Sequence, residues 1–256
     1  MPNQFKRTLK EGKQQIGIWS SIPSPFVTEL LAGSGYDWIL LDTEHAPAGV
    51  PQMIEQLRAA DAARPGAGGR TSAVVRPAWN DAVLIKQYLD IGAQTLLLPF
   101  VQNAEEAHYA IAATRYPPLG TRGVSGAMRA SNFGRNASYL HCAHEDTCLL
   151  VQVETREALA EIEGIARLDG IDGIFIGPSD LSASMGHPGD SKHPEVDAAI
   201  CDAIVRIRAC GKAPGILMAD AARASKYLQL GAQFVAVAMD VGALRMSIEH
   251  SLRQFR

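Results

Sequence analysis

Side chains that can bind a metal, hold an anion or move a proton follow four short apolar runs of this sequence. They are Asp42, Glu44 and His45 after WILL, Arg76 at the end of AVVR, Gln152 and Glu154 at the end of LLVQVE, and Ser179 and Asp180 after GIFIGP. In a parallel sheet closed into a barrel, the carboxyl ends of the strands share one rim, and catalytic residues come from several of these ends. We therefore expect these side chains to meet at one site.

The types of these residues indicate metal-assisted chemistry on an organic acid. Glu154 and Asp180 follow neighbouring runs, and two hard oxygen donors completed by water and a bidentate substrate suit octahedral Mg²⁺ or Mn²⁺, with Co²⁺ as a third candidate. Such an ion can hold a 2-oxo acid and stabilise its enolate. Arg76 can hold a carboxylate through two parallel N–H donors, which lysine cannot do. His45, oriented by Asp42, can transfer a proton.

Each of these residues alone has a simpler interpretation. A carboxylate at a strand end is more often a helix N-cap or an ion-pair partner than a metal ligand. A single arginine or histidine at such a position is usually structural. Their joint occurrence at four strand ends is what favours the functional interpretation.

Two other sets of residues suggest different chemistry, and both are weaker. His141 and His144 have the i, i+3 spacing of one helix face, but no third ligand is evident nearby. A lysine could form a Schiff base with an oxo acid. No lysine falls at the carboxyl end of an apolar run, and Lys212 precedes one.

Eight apolar runs alternate with amphipathic segments, which predicts eight parallel strands, each followed by a helix. Most runs are continuously apolar, as is typical of strands covered on both faces. No GxGxxG follows the first run, so a closed (β/α)8 barrel (TIM barrel, α/β class) is favoured over an open doubly wound sheet. The predicted strands are Ile16–Trp19, Trp38–Asp42, Ala73–Arg76, Thr95–Pro99, Leu149–Glu154, Gly173–Gly177, Ala213–Met218 and Phe234–Met239.

Residues 1–256 are expected to form this one domain, because no shift in composition marks a boundary. Apolar residues make up 47% of the chain and charged residues 20%, which allows a large core. The net charge of −3, with Lys and Arg scattered, argues against nucleic acid as a partner. We find no signal peptide, no run near the roughly 18 apolar residues that span a bilayer, and no CxxC spacing. We therefore expect a cytoplasmic protein without a membrane partner.

Two segments interrupt the regular alternation. Residues 115–147 form a long connection before the fifth predicted strand, on the side of a barrel opposite to the usual active site unless part of it folds back. The segment Asp61–Thr71 contains Pro65 and paired glycines and precedes the third predicted strand. That second segment should leave the chemistry at the rim intact.

Several strings resemble those of the HpcH/HpaI class II aldolases, from about residue 5 to the C-terminus. They include LLDTEHAP, VVRPAWND, QTLLLPFVQNAEEA, TRYPPLGTRGV, VQVETREAL and GIFIGPSDLSASMG. The resemblance implies a TIM barrel of the phosphoenolpyruvate/pyruvate type. It also implies reversible cleavage of 4-hydroxy-2-oxo acids, such as 4-hydroxy-2-oxoheptanedioate or 2-keto-3-deoxy sugar acids, to pyruvate and an aldehyde. A CoA-thioester lyase of the malyl-CoA or citramalyl-CoA type is the alternative within the same superfamily.

The resemblance implies roles for the residues at the rim. Glu154 and Asp180 match the metal ligands of the family. Arg76 matches the arginine that binds pyruvate, and His45 matches the base, with Asp42 as its acidic partner.

Further residues match positions around that centre or between subunits. Gln152 matches a glutamine beside the metal, and the backbone at Gly177 and Ser179 matches a contact of the substrate carboxylate, although relatives often carry alanine in place of this serine. Asp90 matches a residue that reaches a neighbouring subunit's site. Relatives assemble as hexamers, trimers of dimers that exchange the last helix, so residues 240–254 are expected to pack on a partner chain.

Overall fold

The computed structural model describes residues 2–64 and 69–256. Eight parallel strands, each hydrogen-bonded to the next in chain order, close into a barrel through the pairing of the first strand with the last. The predicted TIM barrel is confirmed. Residues 65–68, which include Pro65 and part of the glycine-containing stretch of the segment Asp61–Thr71, lie outside the described residues.

The strands lie where the apolar runs predicted them, and no bound differs by more than one residue. They are β1 (Gln15–Ser20), β2 (Trp38–Asp42), β3 (Ser72–Arg76), β4 (Thr95–Leu98), β5 (Cys148–Val153), β6 (Gly173–Ile176), β7 (Ala213–Leu217) and β8 (Phe234–Met239).

Helices surround the barrel, and several begin at residues that cap their free N–H groups, such as Asn103 and Asp220. They are α1 (Gln4–Lys10), α2 (Pro25–Ala32), α3 (Val50–Ala62), α4 (Ala82–Asp90), α5 (Ala104–Thr114), α6 (Tyr139–Asp146), α7 (Arg156–Ala160), α8 (Ile162–Ala166), α9 (Pro178–Ser184), α10 (Pro194–Ala209), α11 (Ala221–Gln229) and α12 (Asp240–Arg253). No helix within the described part of the chain is long and apolar enough to cross a membrane.

Aromatic side chains fill the lower half of the barrel. Trp38 and Phe234 begin β2 and β8, are fully buried, and have ring centroids 5.9 Å apart. Phe5 of α1 packs edge-on against both, at 5.9 and 5.8 Å. The indole fits because Gly17 on the adjacent strand has no side chain, and a Cβ there would overlap it. The floor of the barrel is therefore closed, and only the rim at the carboxyl ends is open for chemistry.

Part of the long connection 115–147 packs against the end of α4, on the floor side of the barrel. It contains a 3-10 turn at Arg129–Ser131 and the helix α6. Arg122 is buried and its Nη2 lies 2.6 Å from Oδ1 of Asp90, the last residue of α4. Arg129 donates to the carbonyl of Ile91 at 2.9 Å. The connection thus holds the end of α4 that points away from the rim.

Helix α12 differs from the other long helices because Asp240 is its one buried residue. The Asp240 carboxylate accepts hydrogen bonds from Ser20 Oγ and from the backbone N–H of Ser21 and Ile22, which ties the helix to the end of β1. Its exposed apolar side chains are Val241, Leu244, Met246, Ile248 and Leu252. A single chain therefore leaves an apolar helix uncovered.

Candidate active site

The rim of the barrel surrounds a cavity of about 370 Å³. Apolar side chains of β1, β6 and β7, including Trp19, Phe175 and Leu217, form part of its wall. The structure also brings seven of the predicted site residues to this wall, namely Asp42, His45, Arg76, Gln152, Gly177, Ser179 and Asp180.

Arg76 and Asp42 form a buried ion pair at paired positions of β3 and β2. Arg76 donates from Nε to Asp42 Oδ1 at 2.9 Å and from Nη2 to Asp42 Oδ2 at 2.7 Å. The guanidinium lies 4.6 Å from the ring of Trp19, whose Nε1 also donates to Asp42. Burial acts to raise the pKa of Asp42, but the hydrogen bonds and charge of Arg76 outweigh it and hold that pKa below its usual value. Asp42 is an anion that fixes the guanidinium.

The carboxylate beside His45 is Glu44 rather than Asp42. Glu44 Oε1 lies 3.7 Å from His45 Nε2, and Glu44 Oε2 lies 2.7 Å from Arg76 Nη1. The orienting role predicted for Asp42 does not hold within this chain, because Arg76 and Trp19 occupy its oxygens. Burial raises the pKa of Glu44 despite the opposing charge of Arg76. Glu44 is thus the residue that connects the arginine with the histidine.

Glu154 is 2% exposed directly after β5, and two donors hold its carboxylate. Oε1 accepts from the backbone N–H of Phe100 at 2.7 Å, and Oε2 accepts from Gln152 Nε2 at 2.6 Å. Burial raises the pKa of Glu154 to about 7 against these hydrogen bonds, and the charges of Glu44 and Asp180 raise it further. Phe100 adopts a φ of 54°, uncommon for a residue with a side chain, which aims its N–H at Glu154.

Gly177 leaves room for the side chains of Glu154 and Gln152, and its own backbone N–H and carbonyl are already hydrogen-bonded. Its N–H donates to Val153 O and its carbonyl accepts from Leu181 N, so the predicted substrate contact is not available through the N–H. A Cβ at this position would lie 2.7 Å from Glu154 Oε2 and 2.9 Å from Gln152 Nε2. Only glycine leaves that carboxylate and amide in place.

Ser179 and Asp180 lie in the first turn of α9, which follows β6 directly. The helix has no side-chain cap at its start. The Ser179 N–H has no hydrogen-bond partner among the described residues, so it is free for an anion. The exposed carboxylate of Asp180 faces the same cavity and is close enough to raise the pKa values of Glu44 and Glu154.

The donor set fits a hard divalent cation. The charge of Asp180 raises the pKa of both Glu44 and Glu154, and the charge of Glu44 raises that of Glu154 further, so negative charge is concentrated near these residues. Gln152 Oε1 is buried and has no hydrogen-bond partner among the described residues. Carboxylate and amide oxygens are the ligands of Mg²⁺ and Mn²⁺, so the residues present match such an ion.

Three groups of residues stay outside this site. Asp90 ends α4 on the floor side and pairs with Arg122, so it cannot reach its own chain's cavity, and its expected role in a partner's site stays a prediction. No lysine among the described residues lines the cavity, which disfavours the Schiff-base alternative. His141 and His144 lie on α6 and belong to no group of three metal-ligating side chains among the described residues.

A family model described as HpcH/HpaI aldolase/citrate lyase matches residues 15–246. The chain belongs to this family. The 4-hydroxy-2-oxo-heptane-1,7-dioate aldolase of Salmonella typhimurium (strain LT2) is 55% identical over 256 residues, which are 100% of this chain and 95% of that protein. A HpcH/HpaI aldolase/citrate lyase family protein from Burkholderia cenocepacia J2315 has a crystal structure with a TM-score of 0.94 and 36% identity, covering 98% of both chains. The predicted resemblance and the predicted class, a carbon–carbon lyase of the aldolase type, are confirmed.

A more distant solved structure is that of the citrate lyase beta subunit from M. tuberculosis, in complex with oxaloacetate and magnesium. It is 16% identical to this chain, with a TM-score of 0.58 over 91% of this chain and 93% of that one. At this identity the likeness shows the shared fold alone.

Proposed function

We propose that this family member is a divalent-metal-dependent aldolase that reversibly cleaves 4-hydroxy-2-oxo acids to pyruvate and an aldehyde. The observation that carries the proposal is the position of Arg76, Gln152 and Asp180 on the wall of one cavity, with Glu44 in contact with Arg76 and Glu154 in contact with Gln152 behind that wall. The name of relatives that are 55% identical over the full chain supports the substrate class.

Glu154 and Asp180 would hold the ion, with Gln152 and Glu44 beside it. When bound, the ion supplies positive charge that stabilises the negative charge developing on the keto acid. The all-oxygen donor set suits Mg²⁺, Mn²⁺ or Co²⁺. The magnesium in the M. tuberculosis structure supports a divalent ion in this fold.

Arg76 retains donors for a substrate carboxylate. Of the five N–H groups of an arginine, Nε and one N–H of Nη2 bind Asp42, and Nη1 lies 2.7 Å from Glu44 Oε2, which has no hydrogen-bond partner among the described residues. The second N–H of Nη2 and an N–H of Nη1 would form the fork that holds the substrate carboxylate. Asp42 and Trp19 prevent the guanidinium from turning away.

His45 would move the proton that starts the cleavage. Its side chain is 66% exposed beside the cavity, so it can reach the C4 hydroxyl of a bound substrate. When the hydroxyl loses its proton, the C3–C4 bond breaks, its electron pair stays with the pyruvate fragment, and C4 becomes the aldehyde carbon. The pyruvate C3 is protonated afterwards. Glu44 stabilises the charge that His45 gains.

The proposal includes a homo-oligomer, a hexamer built as a trimer of dimers. Support comes from the uncovered apolar side chains of α12 and from Phe26 and Leu30 of α2, which are 79% and 65% exposed. Exchange of α12 would cover such surfaces, and assembly would bring Asp90 to a neighbour's cavity. Light scattering measures the molar mass of the full chain and of a chain that ends before Val241. A monomeric full chain would contradict the proposed hexamer.

The activity is tested by coupling pyruvate release from a 4-hydroxy-2-oxo acid to lactate dehydrogenase. We expect activity with Mg²⁺ or Mn²⁺, loss with EDTA, and recovery when metal is added back, while Glu154→Gln stays inactive throughout. Activity that survives thorough chelation would contradict the assignment of Glu154 and Asp180. Cleavage of malyl-CoA, without activity on several such acids, would replace the proposal by the CoA-thioester lyase alternative.

A further inference from the structure

A second group of metal-ligating side chains lies between α9 and α10, outside the cavity. His187 follows α9, His193 caps α10, and Glu195 lies in the first turn of α10. One ligand atom of each lies within 4.8 Å of the others, and within the described residues this is the one cluster of three such side chains. None of them lines the cavity, and the proposed cleavage uses none of them.

The distance between His187 and Glu195 suits two ligands of one ion. His187 Nε2 lies 2.9 Å from Glu195 Oε2. Two donors about 2.1 Å from one ion are about 3.0 Å apart at right angles and about 3.4 Å apart at the tetrahedral angle that Zn²⁺ prefers, so a shift of about 0.5 Å is enough. An ion can therefore replace the proton that these two atoms now share. Both side chains are partly exposed and can adjust without disturbing the core.

His193 adds a third donor. Its ring stacks on His187 with centroids 3.5 Å apart and an angle of 16° between the planes. The stack therefore holds the two imidazole rings side by side, and imidazole nitrogen is the commonest side-chain ligand of metal ions. Turning His193 toward the ion gives up only a long hydrogen bond of 3.3 Å from Glu195 N to His193 Nδ1.

We propose that His187, His193 and Glu195 bind a Zn²⁺ ion at a site separate from the cavity. Imidazole nitrogens suit Zn²⁺, whereas the oxygen donors of the cavity suit Mg²⁺ or Mn²⁺, so the two sites select different ions. The site connects the end of α9 with the start of α10. Arg156, at the start of α7, contacts the other oxygen of Glu195 at 3.1 Å, so its positive charge opposes the ion.

The test uses metal-free Glu154→Gln/Asp180→Asn protein, in which the cavity site is disabled, so the outcome does not depend on the proposed aldolase. Zn²⁺ is titrated in competition with a chromogenic zinc chelator. We expect one ion per chain, and at least tenfold weaker binding when His187→Gln and His193→Asn are added, since asparagine keeps the cap of α10. Arg156→Gln should tighten binding. The matched control, His141→Ala/His144→Ala on α6, should leave the affinity unchanged.

Thermal unfolding gives a second measurement on the same proteins. Zn²⁺ should raise the Tm of the background protein, because the ion binds the folded chain and connects two helices. The His187→Gln/His193→Asn protein should show no such rise. The proposal would be overturned if the Zn²⁺ affinity, or the rise of Tm caused by Zn²⁺, were the same with and without His187 and His193. It would also be overturned if removing His141 and His144 lowered the Zn²⁺ affinity as much as removing His187 and His193 does.

Discussion

The stability of the metal-free protein should depend on pH through Glu154. Burial raises the pKa of this carboxyl from its ordinary 4.5 to about 7 in the folded chain. A raised pKa means that the folded state favours the protonated form, so the stability is fully present below about pH 4.5 and is lost as the pH rises through about 7. The difference corresponds to about 3 kcal/mol of unfolding free energy.

Glu154→Gln removes the charge and keeps the shape. The oxygen of the new amide can still accept a hydrogen bond from Phe100 N. If the side-chain amide of Gln152 rotates by 180°, its Oε1, which has no hydrogen-bond partner among the described residues of the wild type, can accept a hydrogen bond from the new NH₂ group. The variant should therefore fold, and it should lack the pH dependence that Glu154 causes. Glu44 also favours the protonated form in the folded state, so the variant keeps a smaller pH dependence of its own.

Urea unfolding in EDTA at about pH 5 and about pH 8 measures the difference. We expect the variant to exceed the wild type by up to about 3 kcal/mol at the higher pH and by less than about 1 kcal/mol at the lower. Mg²⁺ or Mn²⁺ should stabilise only the wild type and so remove the variant's advantage. Glu29→Gln, at an exposed position of α2, is the matched control and should follow the wild type. The same pH dependence in Glu154→Gln as in the wild type would refute the argument.

Three further substitutions test the cavity. Arg76→Lys should raise the KM for pyruvate in the aldol direction at least tenfold, because lysine lacks the fork; an unchanged KM would contradict its anchoring role. His45→Gln should lower kcat by about 10²- to 10⁴-fold and spare metal affinity, so a loss of metal instead would make it a ligand. Gly177→Ala should weaken metal binding in calorimetry, because its Cβ would lie 2.7 Å from Glu154 Oε2. Gly242→Ala is the control, because its Cβ would meet no atom within 4 Å, and it should bind the metal as tightly as the wild type does.

Strand positions were predictable because buried parallel strands need continuous apolar runs, and this chain separates its runs clearly. The run at 38–42 and the run at 234–239 match β2 and β8 at both ends. The rim residues followed from the same pattern, since a polar residue directly after a buried strand lies at the rim. Thus Glu154 and Asp180 could be assigned to one site before any geometry was known.

Contacts between side chains of different strands were not predictable in the same way. Asp42 and His45 are three residues apart, but the register of β2 against β3 places Asp42 opposite Arg76, which takes the carboxylate. Trp19 stacks on that arginine only because the barrel brings β1 beside β2. The φ of 54° at Phe100 has no sequence signal, since phenylalanine rarely adopts it.

The closed floor of the barrel constrains how the chain can fold during synthesis. Phe5 needs both Trp38 of β2 and Phe234 of β8 for its contacts, and β1 needs β8 to complete its hydrogen bonds. Phe234 follows Phe5, and β8 follows β1, by more than two hundred residues, so these contacts are among the most non-local in the chain. A nascent chain emerging from the ribosome therefore leaves Phe5 without its contact to Phe234, and one edge of β1 unpaired, until the last strand has been made.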